Sequence, residues 1–219
     1  MINYQFKEEV RIPLDEITLA GDLSTPEHAK GLVVFAHGSG SSRLSSRNKY
    51  VAEVLQQGGF STLLFDLLTV QEDQDYSTRF NIELLTDRLV KVTDWLKQEP
   101  KTADQSVGYF GASTGAAATL KAAAALGNII RAVVSRGGRP DLAGQVLQEV
   151  RTPTLLLVGG LDGEVIQLNE HAFSLLRVEK EIRIIPGASH LFEEPGKLEE
   201  VASLAAEWFN KHLITVAET

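Results

Sequence analysis

Short runs of apolar residues recur along the chain and alternate with segments in which apolar residues return every three or four positions. Runs that are apolar throughout are typical of strands covered on both faces, as the strands of parallel sheets are. Strands of this kind are predicted at Gly31–His37, Ser61–Asp66, Val107–Phe110 and Thr152–Gly160, and two further strands at Ile129–Ser135 and Glu181–Gly187. The predicted helices are Asn48–Gly58, Ile82–Gln98, Thr114–Leu126, Ile166–Leu176 and Leu198–Leu213. This alternation predicts an α/β fold with a mostly parallel sheet.

Three segments depart from this pattern. Polar and apolar residues alternate singly in Tyr4–Ile12 and in Ile17–Leu23, which predicts an N-terminal β-hairpin with one face on a core. Thr69–Thr78 is polar, acidic and without period, so it is interpreted as an exposed loop. It follows the carboxyl end of a predicted strand and is a candidate lid, but its short length predicts an open site.

Length and composition predict a single domain that spans residues 1–219. A chain of 219 residues, 43% of them hydrophobic, can bury one sizeable core. The formal net charge of −8 disfavours a nucleic-acid partner. Without a long apolar run or a signal-peptide pattern, we expect a cytoplasmic protein with no membrane partner. The chain has no cysteine, and none of its five histidines is spaced from another like a ligand pair, so we expect no metal site.

A glycine-flanked serine stands at one predicted strand-to-helix junction. The sequence Gly111-Ala-Ser-Thr-Gly115 follows a strand that ends at Phe110 and leads into a helix. A turn this sharp closes only if the residues two before and two after the serine are small, and it lifts the hydroxyl off the end of the sheet. Ser113 is therefore the predicted nucleophile. The alternative is a glycine-rich turn with an incidental serine.

The loop His37-Gly-Ser-Gly40 leaves the carboxyl end of another predicted strand, where ligands bind in open α/β sheets. A serine nucleophile needs donors for the oxyanion that forms during attack. We expect these donors to be the backbone N–H groups of Ser39 and Thr114, the latter at the start of a helix. A phosphate-binding loop is disfavoured because no Gly-Lys-Ser/Thr closes it. A merely flexible loop is the remaining alternative.

A serine attacks at neutral pH when a base takes its proton, and that base is usually histidine. His190 alone lies on a loop after the last predicted strand and is the candidate base. We expect His37 to order its own loop by hydrogen bonding. Surface positions are predicted for the other three histidines, which are His28, His171 and His212.

Asp162 follows the strand before His190 and is the candidate carboxylate that orients it. Asp66 and Glu164 are the alternatives. Asp66 ends a strand but precedes the serine, and Glu164 lies two residues past Asp162. With Asp162 the order along the chain is Ser, Asp, His, which is the order expected of α/β hydrolases.

Arg136 and Arg139 lie on a loop at the carboxyl end of a further predicted strand. Guanidinium groups at the rim of the site would bind an anionic group of the substrate through forked hydrogen bonds. The alternative, which the sequence supports equally, is that they pair with Asp141 or with other acidic residues on the surface.

Nearly the whole chain resembles the α/β-hydrolase superfamily, and within it the small dienelactone-hydrolase-like enzymes. The resemblance rests on four segments, which are His37-Gly-Ser-Gly40, Gly111-Ala-Ser-Thr-Gly115, Gly159-Gly-Leu-Asp162 and Gly187-Ala-Ser-His190. It implies an eight-stranded, mostly parallel sheet with helices on both faces, in which the second strand of the hairpin runs antiparallel. The enzymes that open dienelactones carry a cysteine nucleophile, which this chain does not contain, so the substrate stays open.

The resulting hypothesis is a serine hydrolase that cleaves esters or lactones of small molecules, anionic ones included, through an acyl-enzyme. Ser113 attacks the carbonyl carbon, and His190, oriented by Asp162, takes the proton. No cofactor is needed. The alternative is a catalytically silent receptor or accessory subunit on a hydrolase scaffold, because fold does not fix function. The sequence is compatible with a monomer and with a homodimer.

Overall fold

A computed structural model describes residues 2–214 of the chain. The strands are β1 (Tyr4–Leu14), β2 (Ile17–Pro26), β3 (Leu32–Ala36), β4 (Ser61–Phe65), β5 (Val107–Ala112), β6 (Ile130–Arg136), β7 (Thr154–Gly159) and β8 (Lys180–Ile185). The α-helices of this range are α1 (Ser46–Gln57), α2 (Val70–Asp73), α3 (Ile82–Gln98), α4 (Thr114–Leu126), α5 (Gly163–Leu175) and α6 (Lys197–His212). None of these helices is long and apolar enough to cross a membrane.

The strands form one eight-stranded sheet in the order β1-β2-β4-β3-β5-β6-β7-β8. β2 runs antiparallel to both of its neighbours, β1 and β4. Every other neighbouring pair is parallel. The fold class and the antiparallel second strand of the hairpin are therefore confirmed. All carboxyl ends of the parallel strands lie at one edge of the sheet, where the loops with the candidate site residues meet.

Helices cover the sheet on both faces. The stripe Leu85, Leu89, Val92 and Leu96 of α3 packs with α4 into one buried cluster. On the opposite face, α1 and α6 pack into a second cluster, in which Phe209 of α6 is fully buried. Coverage on both faces explains why β3, β4, β5 and β7 are fully buried and mostly apolar instead of alternating. The edge strand β8 is partly exposed and carries charged side chains.

The prediction of an exposed loop at Thr69–Thr78 is right about exposure, with Val70 and Tyr76 76% and 71% exposed, but wrong about the loop. This segment contains helix α2 and runs into a 3₁₀ turn at Thr78–Phe80. The Thr69 hydroxyl accepts the Glu72 N–H, and the Glu72 carboxylate accepts the Thr69 N–H. Glu72 also pairs with Arg88 of α3 at 2.7 Å. A one-turn helix is too short to show a periodicity, so its only signal in the sequence is this reciprocal cap.

Candidate active site

Ser113 lies where β5 ends and α4 begins, the strand-to-helix turn that the sequence predicts. Its backbone angles are φ 51° and ψ −123°, a strained conformation for a residue with a side chain. The Ser113 N–H donates to the Arg136 carbonyl oxygen at 3.3 Å. The N–H groups of Ala116 and Arg139 donate to the Ser113 carbonyl oxygen at 3.1 and 3.0 Å. The surrounding backbone therefore holds Ser113 in this conformation.

Gly111 and Gly115 let the chain on either side of Ser113 pack closely. A β-carbon at Gly111 would lie 2.6 Å from the Ala116 α-carbon. At Gly115 it would lie 2.4 Å from the Ala36 carbonyl oxygen, at the end of β3. Side chains essentially never approach backbone atoms this closely. Both positions require glycine, which is the prediction made for a turn of this kind.

Asp162 and His190 are in direct contact, with 2.6 Å between Asp162 Oδ2 and His190 Nδ1. Asp162 lies between β7 and α5, and His190 lies on the loop after β8. An ionised carboxylate only accepts hydrogen bonds, so we assign the imidazole proton to Nδ1. Nε2 then keeps its lone pair and can accept a proton. The pair has the geometry of an oriented general base.

The loop of His190 packs on the same short segment that holds Ser113. A β-carbon at Gly137 would lie 3.0 Å from the His190 carbonyl oxygen and 3.6 Å from His190 Nδ1. Gly137 directly follows Arg136, whose carbonyl oxygen accepts the Ser113 N–H. The Ser189 N–H donates to Glu194 Oε2 at 3.0 Å. This hydrogen bond lowers the pKa of Glu194 and joins the two ends of the segment that contains His190. The three predicted catalytic residues thus converge on one edge of the sheet.

His37 orders the loop between β3 and α1, as predicted. His37 Nδ1 lies 2.9 Å from the Gly38 carbonyl oxygen, and His37 Nε2 accepts the Leu67 N–H at 3.0 Å. The imidazole is therefore a neutral donor and acceptor, and burial lowers its pKa. A β-carbon at Gly38 would lie 2.9 Å from the Ser113 β-carbon, so this loop packs directly against the nucleophile.

The Ser39 N–H is not free in this structure. It donates to Thr114 Oγ1 at 2.9 Å. The sequence predicts that this N–H donates to the substrate. In the structure the acceptor is instead the Thr114 hydroxyl oxygen. The Thr114 N–H, at the first position of α4, belongs to the helix N–H groups that have no partner within the helix.

The sequence profile of the dienelactone hydrolase family matches residues 19–218, a range that includes every residue of this site. The chain belongs to the dienelactone hydrolase family. A crystal structure of a dienelactone hydrolase from Anabaena variabilis is similar, with 55% identity and a TM-score of 0.93 over 96% of this chain and 99% of that one. An esterase from Pyrococcus furiosus shares the α/β-hydrolase fold, with 17% identity and a TM-score of 0.74 over 95% of this chain and 92% of its own.

One longer relative is named as a transferase and not as a hydrolase. A Mycobacterium tuberculosis protein named as a phosphoribosyl transferase is 57% identical over 206 residues. The match covers 94% of this family member but 46% of that protein. The chain therefore spans about half the length of this relative.

In this dienelactone hydrolase family member, Arg136 and Arg139 have different surroundings. Arg139 forms a forked ion pair with Asp141 at 2.9 and 2.8 Å, which is the surface pairing that the sequence left open. Arg136 is 6% exposed and lies 5.9 Å from the centre of the Phe192 ring. Its Nη2 is 3.4 Å from Asn48 Oδ1, and its Nε has no hydrogen-bond partner among residues 2–214. Burial, with the nearby charge of Arg47, lowers the pKa of Arg136 to about 10.

A cleft of about 300 Å³ lies beside the loop of His37, and the sequence did not predict it. Ser41, Ser42 and Thr69 contribute hydroxyl groups to it, and Leu68 and Val70 contribute apolar surface. The segment interpreted as a loop thus forms one wall of the cleft. No three or more His, Asp or Glu side chains of the described chain are grouped to hold a metal ion.

Arg79 is a residue of this cleft that sequence reasoning missed. Arg79 donates two hydrogen bonds to the Asp73 carboxylate, from Nε at 2.9 Å and from Nη2 at 3.0 Å. A β-carbon at Gly40 would lie 3.6 Å from Arg79 Nη1. The side chain therefore reaches the loop that packs against Ser113. Its sequence surroundings are polar and aperiodic, so the only available signal was its place after the carboxyl end of β4.

Proposed function

We propose that this chain is a serine hydrolase that cleaves carboxylic esters or lactones of small molecules. The observation that carries the proposal is the 2.6 Å contact of Asp162 with His190 at the edge of the sheet that also carries a serine in strained backbone geometry. These are the groups that acyl transfer to a hydroxyl nucleophile needs, in the chain order of α/β hydrolases. The family name and the esterase among the structural neighbours support the same reaction class.

The proposed reaction has two halves. Ser113 Oγ attacks the carbonyl carbon while its proton passes to His190 Nε2, and the carbonyl oxygen becomes an oxyanion. The intermediate collapses, and His190 returns the proton to the leaving alcohol, which stays attached when the substrate is a lactone. Water then attacks the acyl carbon while His190 takes its proton, and this proton passes to Ser113 Oγ as the acyl–serine bond breaks and the acid leaves. Asp162 stabilises the imidazolium in both halves, and the reaction needs no cofactor.

The name of the M. tuberculosis relative does not change this proposal. Phosphoribosyl transfer is the activity that the name gives to a protein of which this chain spans 46%. The residues gathered here are those of acyl transfer. The competing proposal is the silent receptor or accessory subunit, which would keep the fold and the triad without turnover.

Covalent labelling separates an enzyme from a silent receptor. We expect a fluorophosphonate to add one phosphonyl group to the wild-type protein, with loss of fluoride, and peptide mapping to place it on Ser113. His190→Gln should slow the labelling rate by about 10²–10⁴-fold, because the base that takes the serine proton is gone. His171→Gln, in an exposed part of α5, is the matched control and should label at the wild-type rate. A folded wild-type protein that gains no adduct would favour the receptor.

We further propose that Arg136 gives the site a preference for anionic substrates. The side chain is buried, carries a free Nε donor and has no carboxylate within ion-pair distance among the described residues. Its backbone bonds directly to Ser113, and Arg47 adds positive charge nearby. A buried charge without a partner is costly, so an anionic group of the substrate would satisfy it. Arg139 is excluded from this role because Asp141 neutralises it.

Matched pairs of neutral and carboxylate-bearing esters test this preference. We expect Arg136→Met to lower the ratio of kcat/KM for the anionic ester over the neutral one by about 10- to 100-fold, as the loss of a charged hydrogen bond does. Arg139→Met should leave the ratio unchanged. Equal rates of wild-type enzyme on both esters, with no effect of Arg136→Met, would contradict the proposal.

A further inference from the structure

The side chain of Thr114 lies where the sequence predicts a free N–H. Its hydroxyl oxygen accepts the Ser39 N–H at 2.9 Å, and the residue is 4% exposed. An N–H that already donates at this distance cannot give a second acceptor a bond of the same strength. With the Ser39 N–H engaged, only the Thr114 N–H remains of the two predicted oxyanion donors. A hydrolase with one donor would lack much of the electrostatic stabilisation that acyl transfer needs.

We infer that the Thr114 hydroxyl is itself an oxyanion donor, an inference that rests on the proposed ester hydrolysis. A hydroxyl has one proton to donate and two lone pairs that accept. Here one lone pair is engaged by Ser39, and no acceptor among residues 2–214 receives the proton. The proton is therefore available to the substrate carbonyl oxygen without loss of the Ser39 bond. The Ser39 N–H polarises the hydroxyl and so strengthens the bond that it donates.

The loop around Ser39 opposes the alternative, in which the Ser39 N–H turns from Thr114 to the substrate. His37 holds the base of the loop through the Gly38 carbonyl oxygen and the Leu67 N–H. Gly38 packs so closely on Ser113 that a β-carbon there would lie 2.9 Å from the Ser113 β-carbon. A shift of this loop would break those contacts. Rotation of the Thr114 hydroxyl proton breaks none, so the hydroxyl can donate to the substrate without a shift of the loop.

In the chemical step the Thr114 hydroxyl keeps its proton. The bond from Ser113 Oγ to the carbonyl carbon forms, the electron pair of the carbonyl bond moves onto oxygen, and the serine proton passes to His190. The hydroxyl and the Thr114 N–H donate hydrogen bonds to this oxygen as its negative charge grows. Their contribution is larger in the transition state than in the bound ester, so it raises kcat more than it lowers KM.

Two substitutions at one position test the inference. Thr114→Val replaces the hydroxyl with a methyl group of similar size, and Thr114→Ser keeps the hydroxyl. We expect Thr114→Val to lower kcat by about 10²–10³-fold, the usual effect of losing one oxyanion donor, with KM changed by less than about threefold. Thr114→Ser should stay within about threefold of wild type in both constants. A trifluoromethyl ketone, whose adduct with Ser113 carries an oxyanion, should lose affinity for Thr114→Val in parallel with kcat/KM.

The opposite outcomes have distinct meanings. If the hydroxyl only blocks the Ser39 N–H, Thr114→Val will be as fast as wild type or faster, and the inference is overturned. It is also overturned if Thr114→Ser is as slow as Thr114→Val, because the hydroxyl is then not the group that matters. If an active wild-type enzyme gives either result, ester hydrolysis stands and the role of Thr114 alone fails. A wild-type protein that neither hydrolyses esters nor labels with fluorophosphonate would overturn both.

Discussion

Ser113→Ala is expected to abolish ester hydrolysis, with kcat lower by about 10⁶-fold. The reason is that Ser113 Oγ is the proposed nucleophile and the variant has no hydroxyl at this position. The turn fixes the residue at φ 51°, with its backbone bonded to the segment that follows β6. Alanine leaves the rest of the turn as it is and removes only the atom that bonds to the acyl group. Water attacking directly, helped by His190 and the oxyanion donors, would supply what activity remains.

The measurement is a comparison of kcat and thermal unfolding for wild type, Ser113→Ala and Ser174→Ala. Ser174 is an exposed serine of α5 whose hydroxyl bonds only to the His171 carbonyl oxygen, so its loss should not affect turnover. We expect the three proteins to unfold within a few degrees of one another. Activity of Ser113→Ala close to wild type, in a preparation free of other esterases, would show that the nucleophile is elsewhere.

The sequence predicted the long elements and the places of the candidate catalytic residues for the same physical reason. Buried parallel strands must be apolar throughout, and helices such as α3 must carry an apolar stripe, so both can be recognised from the pattern alone. The predicted bounds of α3 and α4 agree with the structure, as does the place of Ser113 between β5 and α4. Because parallel strands deliver their loops to one edge, the sequence predicts that Asp162 and His190 meet there, and they are 2.6 Å apart.

The sequence could not predict features that depend on which side chain reaches which partner. Nothing in the pattern tells that Thr114 Oγ1 accepts the Ser39 N–H. The same limit applies to the two arginines. Arg139 pairs with Asp141, two residues away, whereas the Arg136 guanidinium lies 5.9 Å from the centre of the Phe192 ring. The sequence does not reveal helix α2, because a helix of one turn is too short to show a hydrophobic periodicity. It therefore also does not reveal the cleft that this segment lines. The proposed substrate preference and oxyanion donors depend on these contacts, so they are less predictable from sequence than the fold is.

Gly115→Ala is expected to destabilise the protein by about 3 kcal/mol or more and to lower Tm by roughly 10 °C. The added β-carbon would lie 2.4 Å from the Ala36 carbonyl oxygen and 2.6 Å from that of His37. Both contacts are with backbone at the end of β3, which cannot move aside as a flexible side chain can. Either α4 or the loop that begins at His37 must shift. Because that loop packs on Ser113, kcat should also fall at temperatures where the variant remains folded.

A matched substitution shows whether the effect belongs to this contact or to glycine in general. Gly163 begins α5, and a β-carbon there would meet nothing within 4 Å, so Gly163→Ala should change stability by less than about 1 kcal/mol. Thermal unfolding of both variants beside wild type gives the comparison, and kcat of Gly115→Ala below its own transition gives the catalytic effect. If Gly115→Ala unfolds like Gly163→Ala and keeps full activity, then α4 does not pack against the end of β3. The conclusion that Ser113 is held closely between β5, α4 and the loop that begins at His37 would then have to be abandoned.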